Sequence, residues 1–231
     1  MRRGDEKKQA FLDVAERLFY HKGFEHTSIQ DILSVLSASK GSFYHHFESK
    51  FTVLEMLCEQ RADKLLEKAQ EAAGGQTHGL HRLCTLLYYA MALRGGEERF
   101  MAMLLPMMFT DQGVTLQSRY SLALKQAFKP AMDSALTQAA GEGEIHLYHP
   151  DYAADMLLAL VNQCWYDIAR MIMDAKYQNR MVDEGTLLSL LQAYRFSMER
   201  LLDAPYGCLD IIRLPELMEA VSRILTEIRL N

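Results

Sequence analysis

The chain has 231 residues, 49% of them hydrophobic, with 13 glycines, 5 prolines, 14 methionines and a formal net charge of −5. Such a composition excludes a disordered polymer and favours long helices over many short strands and turns. The acidity is unevenly spread: residues 1–50 hold 8 Lys/Arg, 7 Asp/Glu and four of the 8 histidines, so the excess negative charge lies beyond them and leaves the N-terminal segment free to approach an anion.

Residues 8–22 carry Phe11, Val14, Ala15, Leu18 and Phe19 on one helical stripe, and Gly23 is expected to end that helix in a left-handed conformation with Phe24 folding back. A second helix is predicted from Thr27, with Thr27 and Gln30 as a capping box and a stripe of Ile29, Ile32, Leu33 and Leu36. Ser37-Ala38-Ser39 breaks it. A short third helix is predicted from Lys40 to about Phe47, N-capped by Ser39, with Phe43 and Phe47 on one face. Ser49 opens a fourth from about Lys50 to Ala73. Three short helices, the last two joined by a tight turn, make a helix-turn-helix unit. Its own apolar residues are too few to hold it alone, so the fourth helix is expected to pack on it.

Residues 74–79 read as a loop, followed by helices from about Leu80 to Arg94, stopped by Gly95-Gly96, and from Glu97 to Phe109, which Pro106 kinks or ends. Asp111-Gln112-Gly113 is a predicted turn. Val114–Ala140 is a long helix that Pro130 should bend, and Gly141-Glu142-Gly143-Glu144 is the next break. Pro150 and Asp151 favour a helix start. The two helices that follow, from Pro150 to about Lys176 and from Gly185 to Leu202, are apolar on more than one face; a second copy of the chain is the economical cover for the face the domain core does not bury. A final helix from Pro215 has a clean stripe at Leu217, Met218, Val221, Ile224, Leu225 and Ile228. No alternating strand pattern of useful length occurs, and the chain reads as all-α.

Cys58, Cys84, Cys164 and Cys208 are far apart with no C-x-x-C pair, the pattern of reduced thiols in a cytoplasmic protein. The charged start at Met1-Arg2-Arg3 lacks a signal core, and the longest apolar run, Met101 to Phe109, is too short to span a bilayer. No membrane contact is expected. His78, His81 and Cys84 invite a metal-site reading, but helical spacing fans them over about 120°, so no metal or other cofactor is expected. The sequence has no G-x-S-x-G, P-loop, G-x-G-x-x-G or H-E-x-x-H, and no enzymatic activity is expected.

Thr27-Ser28-Ile29-Gln30-Asp31-Ile32 and Ser39-Lys40-Gly41-Ser42-Phe43-Tyr44-His45-His46-Phe47-Glu48-Ser49-Lys50 resemble the DNA-binding domain of TetR-like (tetracycline-repressor family, TetR/AcrR) transcriptional regulators. Ala15-Glu16-Arg17-Leu18-Phe19 and Lys22-Gly23-Phe24 fit the family's first helix and its exit, so the resemblance covers roughly residues 8–56. Beyond that it extends only to helix order and the break at residues 141–144. There are departures. Ser37 stands where the family usually has glycine, at a cost of about 1 kcal/mol if that residue needs positive φ. Leu33 and Leu36 are bulkier than the usual alanines, and Phe51 replaces a common acidic residue.

The resemblance implies a helix-turn-helix DNA-binding domain over residues 1–50 and an all-helical ligand-binding and dimerisation domain over 51–231. It also implies that Lys40, Gly41, Ser42, Tyr44, His45 and His46 reach bases or phosphates. A recognition helix must enter a major groove about 12 Å wide and offer short polar or planar side chains, which residues 40–46 do on the face away from Phe43 and Phe47. Thr27 and Ser28, Ser39 and Lys50 stand at helix N-termini, where free N–H groups bind phosphate. In the family the ligand pocket lies among the helices bearing Tyr88, Met91, Phe100, Met103, Met107, Tyr120, Phe128, Trp165 and Tyr166, an adaptable set that fits an apolar or aromatic effector. The expected function is thus a homodimeric repressor, joined through the helices at 150–176 and 185–202 and released from palindromic double-stranded operator DNA by a small molecule. A regulator gated by a protein partner or not gated at all, and an all-α enzyme or scaffold that keeps the N-terminal fold, are the alternatives.

Overall fold

A computed structural model describes residues 3–91, 97–110 and 113–228. Within them the chain forms ten helices and no strand: α1 (Arg3–Lys22), α2 (Ile29–Leu36), α3 (Lys40–Tyr44), α4 (Lys50–Ala73), α5 (Gly79–Ala90), α6 (Glu98–Met108), α7 (Gly113–Gly141), α8 (Pro150–Tyr177), α9 (Glu184–Leu201) and α10 (Leu214–Glu227). The predicted stops at Gly95-Gly96 and Asp111-Gln112 lie outside the described residues. No described helix is long and apolar enough to cross a membrane.

α1 starts a turn earlier than its apolar stripe, because Asp5 and Glu6 in its first turn and His21 and Lys22 in its last complement the helix dipole. Gly23 has φ +83°, and the Phe24 ring returns to lie 5.0 Å from that of Phe19. The expected Thr27–Gln30 capping box is not formed. Ser28 is the N-cap of α2, its hydroxyl accepting from Asp31 N while the Asp31 carboxylate accepts from Ser28 N. Thr27 is instead drawn inward, 1% exposed, by the hydrogen bond from its hydroxyl to Gly23 O. Ser37 takes the left-handed conformation (φ +48°) and its N–H closes α2 on Leu33 and Ser34 carbonyls. α3 is shorter than predicted, but His45 N→Gly41 O and Phe47 N→Phe43 O continue it as a hydrogen-bonded turn.

The first three helices close around Phe11, whose ring meets those of Phe43 and Phe47 edge-on at 5.6 and 6.0 Å. α4 leaves this cluster and packs on α1, α5 and α7, so the buried apolar cluster runs unbroken from Phe11 to Ile228. α6 continues through Pro106 and ends two residues later. α7 is one helix on both sides of Pro130. α8 lies between α7 and α9, and α10 covers α6.

The break at residues 141–144 has a structural use that its glycines do not advertise. Glu142 and Glu144 turn back over the start of α5 and accept from Gly79 N (2.8 Å) and Leu80 N (3.0 Å), satisfying N–H groups that His78 does not cap. Gly79 makes this crossing possible: a Cβ there would lie 2.2 Å from Ala139 N and 2.7 Å from Ala139 Cα. Because the clash is with helix backbone, Gly79→Ala should destabilise the protein by roughly 2–4 kcal/mol. Urea denaturation measures this directly; an unchanged midpoint would contradict the close α5–α7 crossing.

Candidate functional site

Two apolar side chains fix the attitude of α3. Phe43 and Phe47 are buried against Phe11, which turns the opposite face outward. Lys40, Gly41 and His45 are exposed there, Tyr44 is 55% exposed, and Ser42 and His46 are half-buried at the edge. Ser39, the N-cap, accepts from Ser42 N at 3.2 Å. The six positions expected at a groove, with the N-cap Ser39, therefore lie away from the buried Phe43 and Phe47.

His46 lies against the Phe11 ring (6.2 Å) and beside that of His45 (4.9 Å). Burial first, then the positive charges of His45, Lys8 and Lys7, depress its pKa below the usual histidine value, with Asp5 opposing. The shift favours the neutral imidazole. Ser28 is exposed, but its hydroxyl and N–H both meet Asp31. The hydrogen bond from Lys22 (2.7 Å), then those from Ser28, hold the Asp31 carboxyl far below the carboxylate range.

Lys50 and Thr27 occupy different environments from those the sequence implied. The Lys50 ammonium donates to Phe24 O at 2.5 Å and lies 4.1 Å from the Phe24 ring centroid, tying the start of α4 to the turn after α1. Burial lowers its pKa, with Glu25 opposing. Thr27, buried on Gly23 O, presents no side chain to solvent. Both support the surface from behind. No local sequence signal marks the Lys50–Phe24 contact, which spans 26 residues.

A charged cluster joins α1, α4 and the start of α6. Arg61 of α4 pairs with Glu16 of α1 and, at 2.9 Å, with Glu97 at the start of α6, while Lys68 lies 3.4 Å from the second Glu97 oxygen. The Glu97 side chain is 3% exposed, and the Arg61 guanidinium also stacks 5.1 Å over Phe100.

The nine expected pocket residues separate. Met91, Phe100 and Phe128 are buried core. Tyr88 faces α10, hydrogen-bonded to Glu216 and covered by Arg213 at 4.3 Å. Met103 and Met107 line a groove between the end of α1 and α6, with Tyr20 and Arg99. Tyr120, Trp165 and Tyr166 line a cavity of about 290 Å³ between α7 and α8. Its remaining lining is Met108 and three amide side chains, Gln117, Asn162 and Gln163, which the apolar pattern of the sequence did not reveal. The Tyr120 hydroxyl is buried with no hydrogen-bond partner among the described residues, an arrangement that costs about 1–3 kcal/mol.

On the outer face of α8 and α9, Met156 (44% exposed), Leu160, Leu201 and neighbouring Phe196 (48% exposed) form an open apolar strip. This is the face left over when Leu157, Val161, Trp165, Ile168, Leu187 and Leu191 point into the core. His78 lies 3.7 and 3.8 Å from Glu142 and Glu144, apart from the buried Cys84, and those carboxylates already serve the α5 N-terminus.

Gly41 separates folding from contact with a partner. A Cβ there meets nothing within 4 Å, so Gly41→Ala should leave the thermal midpoint equal or slightly higher, helix propensity favouring alanine by up to about 1 kcal/mol. The same methyl would hold the α3 backbone off a groove, and affinity for a selected duplex should fall at least about tenfold. Full affinity in the variant would show that the backbone does not approach DNA at Gly41.

The model of the family "Bacterial regulatory proteins, tetR family" matches residues 11–57, the stretch that holds α2, α3 and the start of α4. The transcriptional repressor KstR2 of Rhodococcus jostii (strain RHA1) is 32% identical over 88 residues, 37% of this chain and 43% of the relative. Matches to the first curated relatives span less than half of those proteins' length. Two solved structures share the fold. A TetR-family regulator of Pectobacterium atrosepticum has TM-score 0.61 and 19% identity, covering 89% of this chain and 99% of that one. FadR of Bacillus subtilis, in complex with stearoyl-CoA, has TM-score 0.55 and 15% identity, covering 85% and 98%. Residues 11–57 thus carry the sequence pattern of the tetR family of bacterial regulatory proteins, within an all-helical fold that the chain shares along most of its length with these solved structures.

Proposed function

We propose that the chain is a sequence-specific DNA-binding transcriptional regulator: a cytoplasmic homodimeric repressor that a small molecule releases from a palindromic operator. One observation carries this reading. Phe43 and Phe47 anchor α3 from within, and the face so exposed is polar, compact and left uncovered by the described residues. KstR2 is named a repressor, and FadR was solved with stearoyl-CoA bound, which supports repression and effector control in proteins of this fold.

In this reading Lys40 and Tyr44 meet phosphates and His45 meets base edges. Ser42, His46, Gly41 and the N-terminal N–H groups of α3 that follow Ser39 set the register. Two copies join through α8 and α9 as a four-helix bundle, so that two α3 helices address successive major grooves. The effector enters between α7 and α8, α4 tilts, and the spacing of the two α3 helices no longer fits the operator. Arg61 makes this coupling physical, since α4 cannot move without carrying or breaking its pairs with Glu16 and Glu97. By linkage, effector and DNA weaken each other's binding equally.

Selection from a pool of random duplexes tests the DNA contacts. The full chain should enrich a palindromic sequence, with affinity falling steeply as salt rises. His45→Ala should broaden the selected sequence at one position in each half-site, whereas Lys40→Ala should weaken all duplexes alike and flatten the salt dependence. Failure to enrich any sequence in dilute buffer would refute the function. Sedimentation addresses assembly: Leu160→Glu, placed in the outer apolar strip, should convert a dimer into a folded monomer and abolish tight operator binding. A Leu160→Glu protein that still sediments as a dimer would rule out the α8/α9 interface.

A further inference from the structure

We propose that the DNA-contacting surface continues from α3 onto the first turns of α1, where Lys7 and Lys8 bind backbone phosphates flanking the groove that α3 enters. The inference rests on the DNA-binding reading above and adds a second set of contacts to it.

Helical geometry places the two lysines. They precede Phe11 on α1 by four and three positions, so they stand on its side of the helix, about 5 Å nearer the N-terminus. Phe11 is the ring against which His46 lies, 6.2 Å between centroids. The lysine charges are accordingly felt at His46, Lys8 more strongly than Lys7, with Asp5 opposing them in part. Glu6 falls about 140° round the helix from Phe11, away from this edge. Lys7 is exposed and Lys8 half-buried. Two cations therefore border the outer face of α3 at the end that carries His45 and His46.

What marks these lysines is that the fold does not use them. Lys22, Lys50, Lys68, Lys125, Lys129 and Lys176 each meet a carboxylate or a backbone carbonyl. Among the described residues, Lys7, Lys8, Lys40 and Lys64 meet neither. Lys40 already belongs to the α3 face, Lys7 and Lys8 adjoin it, and only Lys64 lies apart, exposed on α4 roughly 20 Å along the helix from Lys50. Acids of the same three-helix unit are occupied internally: Asp31 holds Lys22 and Ser28, Glu16 holds Arg61, and Asp13 accepts from Gln9. Unpaired cations beside a polar recognition face match the charge of a nucleic-acid backbone. An ammonium on a flexible stem serves phosphate as a point charge and has no planar fork with which to read a base edge. Lys7 and Lys8 thus add affinity and salt dependence, and the sequence read by α3 stays the same.

The test uses the full chain and a duplex selected from the random pool. Affinity is measured across a range of salt concentrations, phosphate contacts are mapped by ethylation interference, and Tm is followed by thermal denaturation. The double variant Lys7→Gln/Lys8→Gln should lose at least about tenfold in affinity at physiological salt, and its log–log salt slope should become shallower by about two for each subunit. It should select the same sequence, keep the Tm of the parent and lose interference at a distinct subset of phosphates. Lys7→Arg/Lys8→Arg should retain tight binding, and Lys64→Gln should match the parent. Unchanged affinity and slope in the glutamine pair would overturn the proposal. So would an unchanged ethylation map, which would leave only long-range attraction, or an equal loss in Lys64→Gln, which would reduce the effect to net charge. A shifted sequence preference would overturn it too, by assigning the lysines to bases. A parent chain that enriches no duplex would remove the DNA-binding reading itself, and this inference with it.

Discussion

Arg61 sits between two carboxylates that belong to different parts of the chain, Glu16 on α1 and Glu97 at the head of α6, and Lys68 adds a second cation to Glu97. An almost fully buried carboxylate is tolerable only with such partners, since an uncompensated buried charge costs about 3–5 kcal/mol. The geometry is correspondingly demanding. A displacement of α4 along its axis separates Arg61 from at least one partner, so α1, α4 and α6 keep a fixed relation or change it together.

The presentation of α3 follows from that constraint. α3 is too short to hold itself, and its five residues are kept by Ser39 at one end and by Phe43 in the core. The core it uses, Phe11 with Phe43 and Phe47, is shared with α1 and closed by α4. Lys50, folded onto Phe24 O, spends its charge on holding that junction. Residues at the junction thus orient the exposed face without belonging to it.

The helices beyond α4 divide their apolar residues among three places. Most fill the core, a few line the α7/α8 cavity, and the remainder stay exposed on α8 and α9. The cavity is not simply greasy: Gln117, Asn162 and Gln163 line it beside Tyr120, Trp165 and Tyr166.

What the sequence by itself determined was local and periodic. Apolar patterning together with glycine and proline breaks located each of the described helices, Gly23 marked the end of α1, Ser39 the start of α3, and the i, i+4 pair Phe43/Phe47 told which face of α3 would be outside. Helix propensity and capping act within a few residues, so they leave a readable trace. The tertiary structure decided the rest. It placed Ser28 instead of Thr27 at the cap, because Thr27 finds Gly23 O; it turned Lys50 onto a carbonyl 26 residues away; and it sent Tyr88, Met103 and Tyr120 to three different places although all look alike as apolar helical residues. Those outcomes depend on contacts between distant segments, and a one-dimensional pattern of apolar and polar residues carries no record of which distant atom will be met.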